Sequence, residues 1–280
     1  MKIEELLSLI PEFKEFQESS LILEGKEAAY HNSLILKDNS CLGTGFSLDK
    51  AMARQIALSE AIERRVVSNL YKSPTAKSYL LDEYPSTCGF AIGLGKESTI
   101  ERAKAEAVER WLRSKWIDDG YRLDQFKVSP ESLSPVEAWF VEQFQDVLYF
   151  THSCYLDDDV EQAAHSVIVV GLTDCGAFVG SKTMMNKKVP LLPALVEAWR
   201  HLRISTSTLD TNESKVIHHY SQHKDSALAQ IEKAVHENMP SPALRLLKRV
   251  EIPIEGFIGY RALCKDFIGW HGANLDRFVY

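Results

Sequence analysis

Two periods of apolar spacing run along this chain, and where one gives way to the other marks the elements it predicts. Near the start, Leu6, Leu7, Ile10 and Phe13 fall at helical spacing interrupted by Pro11, which predicts a short, kinked packing helix over Ile3 to Phe16. Ser33 to Lys37 reads as a strand, and Gly43 and Gly45 then lead into a long helix from Leu48 to Leu70, rich in Ala, Glu and Arg. Tyr84 to Gly95 repeats that plan as a strand with glycines, followed by a helix from Glu97 to Asp118. Further strands are expected at Val147–Tyr155, Ser166–Leu172 and Ala177–Ser181. A helix at Pro190–Ile204 has proline in its first turn, and another spans Ser226–Glu237. The polar run from Ser205 to Lys224 reads as a loop. Strands and helices interleave, so the fold class is α/β (α+β), with residues 1–280 expected to form a single domain.

Composition narrows the function classes. The chain has 280 residues, 45% of them hydrophobic and 25% charged, the balance of an ordinary globular protein. Its net charge of −7 argues against non-specific nucleic-acid binding, which needs an excess of Lys and Arg on one face. No run of about 18 apolar residues predicts a membrane span, and Glu4 and Glu5 stand where a secretory signal would be apolar. A cytoplasmic protein is therefore expected. The five cysteines, none in Cys-x-x-Cys spacing, suit reduced thiols and read as mostly buried small apolar groups.

An internal match carries the chemistry. Sliding the sequence on itself by 46 positions places Gly43, Leu48, Lys50, Ala57, Glu60, Ala61, Glu63 and Arg64 on Gly89, Leu94, Lys96, Ala103, Glu106, Ala107, Glu109 and Arg110. The expectation is a duplicated strand-glycine-helix unit. Residues at i, i+3 and i+4 share one helical face, so each copy offers two carboxylates and a guanidinium on one stripe. A single Glu-x-x-Glu-Arg is ordinary surface decoration, but two matched copies suggest a site. Four carboxylates brought together are unstable without cations between them. Hard oxygen ligands of that kind suit Mg2+, so Glu60, Glu63, Glu106 and Glu109 are the candidate metal ligands, with Arg64 and Arg110 on phosphates.

These residues resemble the YcaO-like family, whose members use ATP to activate backbone amides. Gly25-Lys26-Glu27-Ala28-Ala29 with Ser33 looks like the family's Gly-Lys-acidic-Ala-Ala segment, whose lysine and serine reach the nucleotide phosphates. Ala57 to Arg64 resembles its first Glu-x-x-Glu-Arg helix, and Ser86 to Gly93 followed by Glu106 to Arg110 resembles the second block. Ala194 to Arg200, with Glu197 and Arg200, is similar to its third nucleotide-contacting helix. The resemblance covers residues 25 to 205. It implies ATP and Mg2+ as cofactors, and Lys26, Ser33, Glu60, Glu63, Arg64, Ser86, Cys88, Glu106, Glu109, Arg110, Glu197 and Arg200 as nucleotide-binding residues. It also implies a ribosomally made peptide or protein as substrate, with a thioamide, azoline or amidine as product according to the nucleophile. An accessory protein for recognition or nucleophile delivery is expected, a homodimer is among the expected assemblies, and no catalytic residue is assigned.

The chain departs from the family pattern in places. Cys88 stands where many members carry Asn, and Arg200 where many carry Gln. No proline follows Pro253, whereas azoline-forming members typically end in a Pro-rich tail, so ring closure by that route is not expected. These departures frame the alternative of a non-catalytic relative that binds a peptide or a partner enzyme. An unrelated ATPase or ligase acting on a small molecule is a third reading. His218, His219, His223 and His236 lack the spacing of a zinc site and read as a solvated loop. Gly93-x-Gly95 lacks the rest of a dinucleotide fingerprint and reads as a tight turn.

Overall fold

Antiparallel sheets with helices laid on them make up the computed structural model, which describes residues 7–81, 87–156, 159–205, 212–237, 246–254 and 256–265. In chain order the elements begin with β1 (Phe13–Leu23), β2 (Lys26–Leu36), β3 (Cys41–Ser47), α1 (Lys50–Tyr71), β4 (Phe90–Gly93), α2 (Lys96–Asp118) and β5 (Asp124–Phe126). They continue with α3 (Pro135–Val141), β6 (Asp146–Leu156), β7 (Asp159–Leu172), β8 (Ala177–Met185), α4 (Leu192–Ile204), α5 (Asn212–Tyr220), α6 (Lys224–Glu237), β9 (Leu246–Ile254) and β10 (Phe257–Cys264). Contacts divide the chain into two compact units, Met1–Thr99 with Val250–Arg261, and Ile100–Arg249 with Ala262–Tyr280.

In the first unit the sheet runs β1-β2-β3. Its first hairpin turns on Glu24 and Gly25, both at positive φ, a pairing that matches the twist of the flanking strands. Asp49 caps α1 by accepting the Met52 N–H at 2.7 Å, which fixes where the helix starts. One face of α1 then buries Leu58, Ala61 and Ile62 against Leu34, Leu36, Ile10 and Ile92. A second small sheet runs β4-β10-β9. Above its strand β4 the buried Arg261 guanidinium lies over the Phe90 ring, 4.5 Å from its centroid, and donates to the Tyr79 carbonyl.

The second unit is built on the sheet β5-β6-β7-β8. Trp116 of α2 is fully buried with its ring 5.1 Å from Phe150 of β6. Ser134 and Glu137 form a capping box at the start of α3, and Phe140 of that helix meets Trp199 of α4 at 5.5 Å. No helix among the described residues is long and apolar enough to cross a membrane.

Several expectations need correction. The predicted helix over Ile3 to Phe16 gives way to β1 from Phe13 onward: Pro11 stops the helical turn and the following residues pair with β2 instead. Gly43 and Gly45, expected to lead into the long helix, lie inside a further strand, β3. The strand expected from Tyr84 is only Phe90–Gly93 among the described residues, and the polar run after Ser205 contains the helix α5. Two of the five cysteines, Cys154 and Cys264, are buried and their thiols are pushed up by that burial, but Cys41 and Cys175 are exposed.

Candidate functional site

A glutamate reaching from a helix to the outer edge of a sheet recurs in both units. In the first unit β3 is the last strand of its sheet, and the Thr44 N–H and hydroxyl both donate to Glu60 Oε2, at 2.8 and 3.1 Å. The other oxygen of Glu60 accepts from Arg64 at 2.6 Å. This approach depends on glycine, because a Cβ on Gly43 would lie 2.3 Å from the Ala57 carbonyl oxygen and one on Gly45 would lie 2.0 Å from that of Ala53. Small residues on both elements therefore let strand and helix touch along their backbones. Glu63, one turn on from Glu60, is buried. Ser33 pairs with Thr44 across the strands, and nearby the Cys41 thiol donates to the Gly43 carbonyl oxygen at 3.5 Å; although the residue as a whole is exposed, its sulfur is partly buried, and that desolvation pushes the thiol up.

Lys26 stands apart from this group. It is exposed at the start of β2, seven residues from Ser33, which at about 3.3 Å per residue puts the two roughly 23 Å apart along the strand. Cys88 occupies the turn before β4 beside Arg261, whose guanidinium is brought down to about 10 by burial while Cys88 acts against that shift. Ser86 lies outside the described residues.

In the second unit β8 is the edge strand, and two helices cap it. The Ser181 N–H donates to Glu197 Oε2 of α4 at 2.5 Å, and the Thr183 N–H donates to Glu109 Oε2 of α2 at 2.7 Å. Arg113 of α2, also buried, donates through one nitrogen to Ser181 Oγ at 3.1 Å and to Glu197 Oε1 at 3.3 Å. Gly180 repeats the glycine device, since a Cβ there would lie 2.0 Å from the Ala194 carbonyl oxygen. Burial works against the Glu197 carboxylate, yet Arg113, Arg110, His201 and the Ser181 N–H together hold it down at about 2. His201, 2.6 Å through Nδ1 from the Val179 carbonyl oxygen, is lowered to about 4 by burial and stays neutral.

Glu106 and Glu109 behave in the opposite way. Burial raises Glu106 to about 7 and the neighbouring Glu109 charge pushes in the same direction, against Arg110, Lys182 and Arg102. Glu109 is raised by burial and by Glu197, opposed by Lys182, Arg110 and Arg113. Two desolvated carboxylates that resist ionising side by side make a place where an added cation is favoured. Arg110 and Arg200 are half-buried on α2 and α4. Among the described residues no three His, Cys, Asp or Glu side chains gather to hold a metal ion. Mg2+ keeps several waters and takes one or two carboxylates together with substrate phosphates, and the Glu106–Glu109 pair beside Arg110 offers carboxylates of that kind. The residues present therefore fit a nucleotide with magnesium.

Sequence reasoning missed Thr44, Arg113, Ser181, Lys182, Thr183 and His201. A signal for some of them exists. An offset of 137 positions places Gly43, Ala57, Leu58, Glu60 and Ala61 on Gly180, Ala194, Leu195, Glu197 and Ala198, with Thr44 on Ser181. In this pairing the strand glycine, the helix alanines and the capping glutamate all make matching contacts. The 46-residue offset lacks that support, because Gly43 is inside a strand whereas Gly89 is in a turn at φ 70°.

No protein-family model matches the chain, and no curated protein matches it. Solved structures do. A chain of the E. coli microcin synthetase McbBCD complex matches with a TM-score of 0.59 at 11% identity, over 90% of this chain and 88% of that one. YcaO from Methanopyrus kandleri, bound with AMPPCP and Mg2+, matches with a TM-score of 0.60 at 12% identity, over 95% and 88%. A heterocyclase in complex with substrate and cofactor matches with a TM-score of 0.52 at 11% identity, over 90% of this chain and 50% of that one. The chain has a YcaO-like fold.

Proposed function

We propose that this chain uses ATP and magnesium to activate a backbone amide of a peptide or protein. The observation that carries the reading is Glu109, buried and held on the Thr183 N–H at the edge of β8, with the half-buried Glu106 beside it and the charges of Arg110 and Lys182 acting on both. Support comes from the fold shared with YcaO structures, one of them bound with AMPPCP and Mg2+. A nucleophile adds to the amide carbonyl, the resulting oxyanion attacks the γ-phosphate and displaces ADP, and loss of phosphate together with a proton completes the exchange. Sulfide would give a thioamide, a side-chain thiol or hydroxyl an azoline, and an amine an amidine.

The protein's share is positioning and charge compensation. Glu106 and Glu109 would hold the metal in the second unit. Magnesium, when bound, supplies positive charge to the phosphates as negative charge shifts among them. Arg110 would grip phosphate oxygens, and Arg113 keeps Glu197 ionised and fixed on the Ser181 N–H, so that the β8 edge is rigid where the nucleotide lies. Glu60, Glu63, Arg64 and Ser33 of the first unit remain nucleotide-binding candidates, Glu60 and Glu63 as metal ligands. A peptide substrate and an accessory protein are part of the proposal, since one matched structure is a multi-protein synthetase complex and another a heterocyclase with its substrate.

Calorimetry with ATP, with and without Mg2+, tests it. Glu109→Gln keeps an acceptor for the Thr183 N–H while removing the charge, so the variant should keep its melting temperature and lose magnesium-dependent ATP binding by at least about tenfold. Unchanged affinity in Glu109→Gln, or no ATP binding by the native chain, would overturn the reading in favour of a non-catalytic relative.

A further inference from the structure

Lys182 is the one residue of β8 between the two strand N–H groups held by glutamates, since Ser181 is bound by Glu197 and Thr183 by Glu109. Its backbone is therefore within one residue of both carboxylate anchors. Alternation along the strand puts its side chain on the face that Gly180 presents to α4, away from the buried hydroxyls of Ser181 and Thr183, and the residue is exposed. On β7 its cross-strand partner is Val167, which offers it no charge. Of the charges acting on Glu109, that of Lys182 is the foremost favourable one, and it acts on Glu106 as well.

We infer that Lys182 is a phosphate-binding residue of the candidate site, compensating Glu109 while the site is free and passing to the nucleotide once magnesium compensates the glutamates. The inference rests on the nucleotide reading above and adds to it a residue that the Glu-x-x-Glu-Arg pattern does not contain. The physical reason is exchange of counter-ions. An ammonium is a compact charge on a flexible four-carbon stem with three donors, free to swing between acceptors within reach. A divalent ion on the buried glutamates would repel that ammonium, while a triphosphate beside them would attract it. Arg113 cannot make the exchange, because it is buried and tied to Ser181 and Glu197.

The exchange makes two predictions of opposite sign, which a merely structural lysine would not give. In Lys182→Met, Mg2+ alone should bind the nucleotide-free chain several-fold more tightly, because its competitor for the glutamates is gone. ATP with saturating Mg2+ should bind about tenfold more weakly, the loss of one charge-assisted contact, while AMP should change by less than about twofold. Lys182→Arg should restore much of the ATP affinity. All four titrations are done by calorimetry on full-length protein whose melting temperature has been checked. Weakened ATP binding without tighter Mg2+ binding, or no change in either while the native chain binds magnesium and ATP, overturns the role of Lys182 and leaves the nucleotide reading standing. A native chain that binds no ATP overturns both.

Discussion

The β3·α1 and β8·α4 pairs are built alike and protected differently. Each presses a glycine of an edge strand onto alanines of the following helix, and each ties the next strand N–H to a helix glutamate. Capping an edge in this way occupies backbone donors that would otherwise invite another strand. In the first pair the glutamate's partner is Arg64, 48% exposed in its side chain, on the same helix. In the second it is Arg113, 2% exposed, from another helix, and His201 takes the place that Arg64 has after Glu60. One backbone device thus serves once at the surface and once in a desolvated cluster. Only in the second do the buried charges depend strongly on one another.

That difference should be largest in stability. Arg113→Met removes a buried cation from the half-buried Glu197 carboxylate and should cost about 3 kcal/mol, whereas Arg64→Met breaks an exposed pair worth less than about 1 kcal/mol. Urea unfolding of both variants measures the gap. Equal losses would mean that burial does not separate the two pairs.

The pH dependence is the next largest effect, and its sign can be worked out. His201 drops from 6.5 to about 4 through burial, so the folded state releases its proton more readily than the unfolded chain. Its contribution to stability is present above pH 6.5 and lost as pH falls through about 4; Glu197 does the same from 4.5 down to about 2. Glu106, raised by burial from 4.5 to about 7, acts in reverse: its contribution is present below 4.5 and lost as pH rises through 7. The two trends partly cancel between pH 4.5 and 6.5. Unfolding free energies across pH 4 to 7 should therefore show His201→Gln flattening the acid loss by roughly 2 kcal/mol, and Glu106→Gln steepening it. Parallel profiles for native protein and both variants would remove the electrostatic distinction between the pairs.

How much of this the sequence discloses depends on whether the signal is local. Helices α1, α2 and α4 are legible to within a residue or two because each is long and begins with a clear start, such as Asp49 or the prolines around Leu192. Strand β1 is obscured because its residues are mostly exposed on both faces, so no alternation survives. Glycines 43 and 45 read as a lead-in to the helix, since the usual reason for glycine is backbone freedom; here the reason is close approach to α1, at Ala57 for Gly43 and at Ala53 for Gly45. The glutamates stand out on their helical faces. Their partners do not, because Thr183 is 74 residues from Glu109 and Arg113 is 84 from Glu197, contacts that only the folded chain defines.

The smallest effect concerns a place where the two pairs differ in polarity at the core. Asn32 of β2 lies opposite Gly45, and Val167 of β7 lies opposite Lys182, each one strand inward and two residues along from the glycine packed on its helix. Val167 is buried and apolar, as such a position favours. Asn32 is fully buried, yet neither its amide nitrogen nor its oxygen has a hydrogen-bond partner among the described residues. Leaving such groups unmade costs about 1–3 kcal/mol, and replacing them by an apolar group of similar shape recovers part of that. Valine also suits a strand better than asparagine. Asn32→Val should therefore make the first unit resemble the second and raise stability by about 1 kcal/mol, seen as a rise of a few degrees in melting temperature. A fall of that size would instead mean that the Asn32 amide is satisfied in solution, by a buried water or by a small shift of α1, and that the polar residue is part of how this pair is held together.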